Sequence, residues 1–358
     1  MARPPKKVTS REVAARAGVS PMTVSRALRT PERVTAATRE RVASAARELD
    51  YVPDLVAGAL SSKRSGHVAV VVPSLRHTGF LRTVDGLSAG LRARGYELLI
   101  GDSYYSTDAQ MELLRVILGR RPEAIVLIAA LHSDEARRLL RGAGLPVVET
   151  WDAPEDPLDM VVGFSQEDAG HAMTGSLIAQ GHRHIGFLAG PPETDPYGEL
   201  RRRGHVRALR EHGLATDLLV AASARPMEID DGAAGVVALR ERWPRADALV
   251  CATDMTALGA LNACRRRGWR VPEDIGIAGH GNFDFSASLV PSLTTVRVPG
   301  YRIGETAAAL IVERIEGGSG AAAGVGRGAA APGIALEPRQ DLGFQVVHRE
   351  STRRGPGP

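Results

Sequence analysis

The sequence predicts a small all-α module at the N-terminus, followed by a two-lobed α/β core built on parallel sheets. Three observations lead to this prediction. Residues 1–60 carry eleven Lys and Arg against six Asp and Glu, a net charge of +5, whereas the rest of the chain balances at −1. Helix-capping signals occur in the first fifty residues, and from His67 onward short aliphatic segments alternate with helical patterns. The chain has 358 residues, of which 44% are apolar and 24% charged, and this suffices for two or three globular domains.

The first predicted helix lies near the N-terminus and has a signal at each end. Thr9 and Glu12 have the spacing of a capping box, in which each side chain bonds to the backbone amide of the other residue. Gly18 follows the helical pattern and is the residue best suited to the left-handed conformation past a helix end. A helix is therefore expected between these limits.

Two more helices are predicted before residue 50. Ser20 and Pro21 occupy the favoured cap and first helical positions, so the short gap after the first helix indicates a helix-turn-helix. Thr35 is expected to cap a third helix that runs to about Leu49. The apolar residues that should form a minimal core are Val13, Val19, Val24, Leu28, Val42, Ala45, Ala46 and Leu49.

The second helix of a helix-turn-helix lies in the major groove of DNA, with its first residues at the base edges. Met22 and Arg26 are four residues apart and therefore share a face of this helix. An arginine in that place can donate to O6 and N7 of a guanine. The alternatives are a solvated surface charge for Arg26 and a core position for Met22. The motif places Pro21, Met22, Thr23, Ser25 and Arg26 toward the bases.

The rest of the chain alternates between strand and helix patterns, which predicts parallel sheets covered on both faces. In such sheets ligands bind beyond the carboxyl ends of the strands, so a cleft between two lobes is expected. Strands are expected near residues 67–72, 96–101, 124–129, 146–149, 184–189, 218–221, 247–251, 275–279 and 294–297. Helices are expected near residues 80–94, 107–119, 133–143, 166–180, 199–212, 231–241, 255–267 and 300–316.

Catalysis and cofactor binding find no support in the sequence. GxGxxG after a strand, GxxxxGK[ST] and HExxH are absent, so neither an enzyme nor a cofactor is expected. The Gly-rich segment 86–95 lies inside a helical pattern and is expected to serve packing within a lobe. Cys251 and Cys264 have no CxxC spacing and are expected in the core. His182 and His184 alternate at a strand entry without nearby carboxylates, which favours a structural role over a metal site.

A membrane location is not expected either. The aliphatic runs are far shorter than the ~20 residues of a membrane-spanning helix. The N-terminal residues are polar and lack the apolar stretch of a secretory signal. We therefore expect a cytoplasmic protein.

Two N-terminal segments, VTSREVAARAGVSPMTVSRAL and RVTAATRERVASAARELDYVPDLVAGAL, resemble the DNA-binding headpiece of the lac/gal repressor (LacI/GalR) family. Core segments such as AQGHRHIGFLAGP and PSLTTVRVPGYRIGETAAALIVERI extend the resemblance over nearly the whole chain. It implies a transcriptional regulator with a periplasmic-binding-protein-like core. Its implied partners are double-stranded operator DNA, a second copy of the chain in a homodimer, and a small-molecule effector. The DNA contacts expected from motif and resemblance are Thr9, Ser20, Pro21, Met22, Thr23, Ser25, Arg26, Arg29, Thr35, Tyr51, Ala57 and Leu60.

Residues 53–66 correspond to the hinge helix and linker of the family. Leu60 matches the leucine that the family inserts into the minor groove. The family usually has Asn in place of Asp54 and Arg in place of Gly58. Glycine weakens a helix by up to ~1 kcal/mol relative to alanine, and the missing arginine removes a phosphate contact. We expect a weak hinge helix that folds only with DNA and the partner subunit.

The resemblance also suggests where the domains begin and end. The expected limits are 1–52 for the headpiece, 53–66 for the hinge and linker, 67–352 for the core, 317–333 for a flexible Gly/Ala-rich insert and 353–358 for a disordered tail. The first lobe should comprise about 67–165 plus 298–316, and the second lobe about 166–294 plus 334–352.

Candidate effector-binding residues lie in loops at the strand ends. Arg201 stands where the family commonly has an arginine or lysine that reaches the ligand, although a helix arginine is ordinarily a solvated charge. Sugar-binding relatives often carry an aspartate where this chain has His280 and Asn282. Arginine, histidine and asparagine suit a carboxylate, so an acidic or strongly polar ligand is favoured. The candidates are Phe80, His132, Ser165, Arg201, Asp254, His280, Asn282 and Asp284.

Within the family, SPMTVSRALRTPERV, VVETWDAPEDPLDMVVGF and QGHRHI are most similar to the gluconate-operon repressors, which respond to gluconate and related sugar acids. We therefore expect a repressor of a carbohydrate or sugar-acid operon that such an acid releases from its operator. Two alternatives stay open. One is a corepressor-dependent regulator with a different ligand. The other is a solute-binding α/β protein whose basic N-terminus does not bind DNA.

Overall fold

The computed structural model describes residues 8–29, 33–52, 65–75, 78–128, 132–192, 195–222, 227–319 and 336–353. The chain divides into two compact units, Met1–Ser65 and Gly66–Pro358. We refer to them as the headpiece and the core. The predicted hinge residues Ala57 and Leu60 lie outside the described residues, as does most of the predicted Gly/Ala-rich insert.

The headpiece contains helices α1 (Ser10–Ala17), α2 (Pro21–Arg29) and α3 (Ala36–Glu48). Thr9 and Glu12 form the predicted capping box, with each side chain bonded to the backbone N–H of the other residue. Gly18 ends α1 with a φ of 65°. The predicted limits of α1 are therefore confirmed. The sequence could predict them because helix caps and stops act within a few residues and need no distant partner.

The predicted core of the headpiece is also confirmed. The buried residues come from all three helices, so each helix covers the apolar face of the other two. They are Val13, Ala14, Ala17, Val24, Ala27, Val42 and Ala45, with Val19, Leu28, Ala46, Leu49 and Tyr51 partly buried against them.

The core contains twelve strands in two six-stranded sheets within the described residues. The strands are β1 (His67–Val72), β2 (Glu97–Asp102), β3 (Ala124–Ile128), β4 (Val147–Thr150), β5 (Met160–Gly163), β6 (Ile185–Ala189), β7 (Leu219–Ala221), β8 (Ala248–Cys251), β9 (Gly276–Gly281), β10 (Thr294–Arg297), β11 (Arg339–Asp341) and β12 (Gln345–Val347). The helices are α4 (Thr78–Arg92), α5 (Thr107–Gly119), α6 (Asp134–Ala143), α7 (Gln166–Ala179), α8 (Pro196–Glu211), α9 (Ile229–Arg242), α10 (Asp254–Arg266) and α11 (Gly300–Ser319).

Each sheet forms the centre of one lobe. The first has the order β11-β5-β4-β3-β1-β2 with all pairs parallel. The second has the order β12-β10-β9-β8-β6-β7, and its pairs are parallel except for β12 with β10. The chain passes between the sheets after β5, after β10 and after β11. The predicted α/β class with parallel sheets is confirmed.

Three strands were not predicted. The strand β5 has four residues, and β11 and β12 have three each. β11 pairs with β5 in the first sheet, whereas we expected residues 334–352 in the second lobe. α11 extends to Ser319, so it includes the first residues of the predicted insert at 317–333.

Glycines bring pairs of core helices into backbone contact. A Cβ at Gly86 would lie 2.1 Å from the carbonyl oxygen of Tyr301, and a Cβ at Gly304 would lie 2.0 Å from that of Thr83. α4 and α11 can therefore cross only because both residues lack a side chain, as expected for the Gly-rich segment 86–95.

Residues 86–90 also have the GxSxG spacing of a serine nucleophile, but they lie inside α4 rather than at the strand-to-helix turn that such a nucleophile needs.

The helix pair α7 and α8 offers a test of this packing. A Cβ at Gly204 would lie 1.8 Å from Glu167 O, whereas one at Gly175 in α7 would meet nothing within 4 Å. Gly204→Ala should lower the free energy of unfolding of the core by about 1–3 kcal/mol or more, because two backbones must separate. Gly175→Ala should raise it by about 0.5–1 kcal/mol, because alanine favours the helix. Urea denaturation followed by circular dichroism measures both, and equal stability of the two variants would contradict the close packing.

Candidate functional site

The second helix of the headpiece presents its first residues to solvent. Met22 is 63% exposed, and Pro21 and Arg26 are also exposed. The core position considered for Met22 is therefore wrong. Thr23 and Ser25 are half-buried, and Ser20 Oγ accepts from Thr23 N at 3.1 Å, which caps the helix. α2 thus offers an apolar side chain and a guanidinium on one face.

Other predicted DNA contacts have structural roles in the headpiece. Thr9 and Thr35 cap α1 and α3, and Tyr51 packs partly buried against the apolar cluster of the headpiece. Thr9 and Thr35 remain exposed and Tyr51 is partly exposed. Their structural roles do not test whether they also contact DNA. The side chain of Arg29 lies outside the described residues, as do Ala57 and Leu60.

In the core, Arg201 is buried on α8 and is only 6% exposed, so it is not a solvated helix charge. Its Nη1 donates to Gln166 Oε1 at 2.6 Å, and Nη2 lies 3.9 Å from Asp195 Oδ1. Nε has no hydrogen-bond partner among the described residues. Burial lowers the pKa of Arg201, and Asp195 opposes that shift. An arginine keeps its proton in proteins, so a buried cation with a free donor remains here.

His280 lies near this cation, toward the end of β9. The ring stacks on Phe164 with centroids 6.2 Å apart, and Nε2 has no hydrogen-bond partner in the described part of the chain. Burial and then the charge of Arg201 hold the pKa of His280 well below its ordinary value. The imidazole is therefore neutral at pH 7.

Two groups around Arg201, one phenolic and one acidic, were missed by the sequence analysis. Tyr105 follows β2 with a φ of 56°, and burial, followed by the charge of Asp195, raises the pKa of its phenol. Burial also raises the pKa of Asp152, which Arg201 opposes. The only sequence signal was their position after strands β2 and β4 of the first lobe. The guanidinium of the second lobe thus faces groups of the first.

Asp254 has a different environment from the one expected for an effector ligand. It is fully buried, and its Oδ1 accepts from Thr295 Oγ1 at 2.5 Å. Its Oδ2 accepts from Ser286 Oγ at 2.5 Å and from Phe283 N at 2.9 Å. Both carboxylate oxygens are thus engaged within the second lobe, where they hold the loop after β9.

Asn282 and Asp284 lie in that same loop and are also engaged by protein groups. Arg349 Nη2 donates to Asn282 Oδ1 at 2.6 Å. Asp284 is exposed and pairs at 3.1 Å with Arg82 of the first lobe. Neither side chain is placed beside Arg201 by these contacts.

His132 is placed on the other side of the first sheet. Its Nδ1 lies 3.1 Å from Gln110 Oε1, and its Nε2 lies 3.6 Å from Glu149 Oε1. Along β4, Glu149 alternates with Val148, so it faces α5 and α6, whereas Phe80 packs in the cluster on the opposite face. The expected grouping of His132 with the other effector candidates is not found in these contacts.

The remaining two candidates lie where the lobes meet. Phe80 packs edge-on against Trp151 with centroids 4.8 Å apart. Ser165 caps α7, accepting from Asp168 N at 3.0 Å, directly after the first passage between the sheets. Tyr197 of the second lobe donates to Thr150 O of the first at 3.1 Å. The lobes are therefore in direct contact beside Arg201.

His182, Cys251 and Cys264, for which the sequence analysis favoured structural roles, are all buried. His182 is buried, with its ring nitrogens 2.9 Å from Asp247 O and 3.2 Å from Thr352 O. No group of three or more possible metal ligands occurs among the described residues. Cys251 and Cys264 are buried as expected, and burial raises the pKa of both thiols.

Of the helices that the structure describes, none has the length and apolar content to cross a membrane.

Comparisons with known proteins agree with this architecture. The family model "Bacterial regulatory proteins, lacI family" matches residues 9–54, and "Periplasmic binding protein-like domain" matches residues 174–331. The chain is 35% identical to the HTH-type transcriptional regulator GntR of Pseudomonas aeruginosa over 96% of this chain and 95% of that protein.

Two solved structures show the same fold over nearly the whole chain. A LacI-family transcriptional regulator from Silicibacter pomeroyi gives a TM-score of 0.85 at 32% identity, covering 97% of this chain and 100% of that chain. The lac repressor dimer bound to operator and the anti-inducer ONPF gives a TM-score of 0.80 at 25% identity, covering 97% and 99%. The chain belongs to the LacI family of DNA-binding transcriptional regulators.

Proposed function

We propose that the protein is a homodimeric repressor of a sugar-acid operon in the cytoplasm, and that a polyhydroxy acid such as gluconate releases it from operator DNA. The observation that carries this proposal is the buried guanidinium of Arg201 beside His280. Within the described residues, neither Nε of Arg201 nor Nε2 of His280 has a hydrogen-bond partner. Buried polar atoms without partners are rare in native proteins and call for an explanation. A bound ligand supplies one.

The chemistry around Arg201 favours an acid with several hydroxyl groups. A carboxylate can accept from the guanidinium in a charge-assisted hydrogen bond. Asp152 and Asp195 beside it are acceptors and disfavour a ligand that carries further negative charge, but they can accept from hydroxyl groups. Gluconate has one carboxylate and five hydroxyl groups. The resemblance to gluconate-operon repressors points the same way.

The effector set that we propose differs from the one expected from the sequence. We retain Arg201 and His280 and add Tyr105 and Asp152, because these groups interact electrostatically with the buried cation. We retain Phe80 because it packs on Trp151, the neighbour of Asp152 in the chain. Asp254 and Asn282 are proposed to hold the loop after β9 instead, since protein donors occupy their oxygens. Ser165, His132 and Asp284 are not proposed as ligand contacts.

DNA binding is proposed to use the exposed face of α2. Met22 and Arg26 project from its first turns, where a helix-turn-helix meets base edges. One headpiece reads one half-site, so a second copy is needed for a palindromic operator. The lac repressor of similar fold is a dimer bound to operator. The hinge contacts Ala57 and Leu60 remain predictions.

The contribution of Arg26 can be separated from general attraction to DNA. Arg26→Ala should relax the preference at one base pair per half-site by about 1–3 kcal/mol, because a bidentate contact to guanine is lost. Arg39→Ala, an exposed arginine of α3, should leave the base preference unchanged. Binding to a library of single-base operator variants measures both. An equal loss on specific and random DNA after Arg26→Ala would make Arg26 a phosphate contact only.

The effector assignment is tested by operator affinity with and without gluconate. Saturating gluconate should weaken operator binding of the wild type by a factor within about 5–150, the usual range of allosteric coupling. Arg201→Ala should abolish that response and leave ligand-free operator binding intact, because it removes the carboxylate partner. Arg203→Ala is the matched control: Arg203 lies on the same helix, is exposed, and forms a surface ion pair with Glu167 at 3.4 Å.

Each other outcome discriminates an alternative. Stronger operator binding with gluconate would indicate a corepressor-dependent regulator. Unchanged affinity in the wild type, together with no heat of gluconate binding by calorimetry, would reject the ligand. Absence of any operator binding by the full chain would favour a solute-binding protein.

A further inference from the structure

Four successive hydrogen bonds connect Arg201 to the first lobe. Arg201 Nη1 donates to Gln166 Oε1 at 2.6 Å, and Gln166 Nε2 donates to the carbonyl oxygen of Trp151 at 2.7 Å. Trp151 Nε1 donates to Thr83 Oγ1 at 2.8 Å, and that hydroxyl donates to Gly300 O at 3.0 Å. The four side chains of this hydrogen-bond relay are all buried. Water therefore cannot easily replace a partner that moves away.

The chemistry of the groups fixes the direction of every bond in the relay. A guanidinium only donates and a backbone carbonyl only accepts, so the Gln166 amide between them has one possible orientation. An indole N–H only donates, so the single hydroxyl hydrogen of Thr83 must go to Gly300 O. No group can exchange partners by turning over, and displacement of Arg201 leaves Gln166 Oε1 unpaired unless Gln166 follows.

The relay reaches the places where the chain passes between the lobes. Gln166 is the first residue of α7, three residues after β5, and Gly300 is the first residue of α11, three residues after β10. Thr83 lies on α4 at its crossing with α11, where its carbonyl oxygen would be 2.0 Å from a Cβ at Gly304. Movement of Thr83 is therefore transmitted to α11. The relay thus joins Arg201 to two interlobe passages and to the packed pair α4 and α11.

We propose that Gln166 and Thr83 are positioning residues that couple the effector site to the first lobe. A ligand that draws the Arg201 guanidinium toward its carboxylate must carry Gln166 with it or leave a buried amide oxygen unpaired. An unpaired buried polar group shifts an equilibrium by roughly 5- to 150-fold, the same range as allosteric coupling. The relay thereby makes the ligand-bound position of Arg201 incompatible with the ligand-free position of α4. This inference rests on the proposed function, whose response it explains.

The test uses Thr83, which is fully buried and is not among the proposed ligand contacts. Thr83→Val removes the hydroxyl with little change of shape, and Thr83→Ser restores it. We measure operator affinity of the full chain with and without saturating gluconate, and gluconate binding by calorimetry. Thr83→Val should still bind gluconate and operator DNA, but the ratio of the two operator affinities should fall to within about threefold of unity, well below the usual coupling range. Thr83→Ser should keep the wild-type ratio.

Thr174→Val is the matched control. Thr174 is also fully buried, and its hydroxyl donates to Gly170 O at 2.9 Å, but it lies in the second lobe outside the relay. The Thr174→Val variant should lose a similar amount of stability and keep the wild-type ratio of operator affinities. This control separates a loss of coupling from a general loss of stability. Thermal unfolding of all variants confirms that each is folded at the assay temperature.

A double-mutant cycle tests whether the two residues act through one relay. Gln166→Met removes both hydrogen bonds of the side-chain amide and keeps a side chain of similar length. It should weaken the response to gluconate as Thr83→Val does. The double variant should show no further loss, because residues in one hydrogen-bond network are not additive. Additive losses, or a wild-type ratio in Thr83→Val, would overturn the inference. A wild type that does not respond to gluconate would instead contradict the proposed function, and the inference with it.

Discussion

The buried charge of Arg201 is the constraint around which the core is arranged. A cation removed from water needs compensation, and its nearest protein partners are a neutral amide at 2.6 Å and a carboxylate oxygen at 3.9 Å. Asp152 and Tyr105 of the first lobe also interact electrostatically with the guanidinium. The protein therefore compensates the charge incompletely and from both lobes, which makes the charge sensitive to an added anion and to the angle between the lobes.

The two kinds of arginine in this chain illustrate how environment sets function. Arg26 is exposed on α2, on the surface that is proposed to meet a base or a phosphate. Arg201 is enclosed, where the same group is proposed to bind a small acid and cannot be neutralised by loss of its proton. One residue type thus serves both proposed partners of the protein, operator DNA and effector.

The sequence predicted the headpiece and most core elements, because capping boxes, helix stops and aliphatic strands act over a few neighbouring residues. It named only part of the effector site that we propose. Arg201 and His280 were named from their positions, but Tyr105 and Asp152 were not. A position after a strand does not by itself reveal that a side chain will face Arg201, which lies far along the chain. Asp254 was taken for a ligand contact although donors from a distant loop and strand occupy it.

The sequence alone determined the helix-turn-helix, the parallel α/β class and the basic character of the N-terminal segment, since these follow from local chemistry and periodicity. Tertiary structure decided which polar residues remain available. Asn282 is bonded to Arg349, and the hydroxyl of Thr83 lies between Trp151 and Gly300. It also placed the short strand β11 in the first sheet. Hydrogen-bond partners brought together from distant parts of the chain depend on how the lobes pack, and no local pattern encodes that packing.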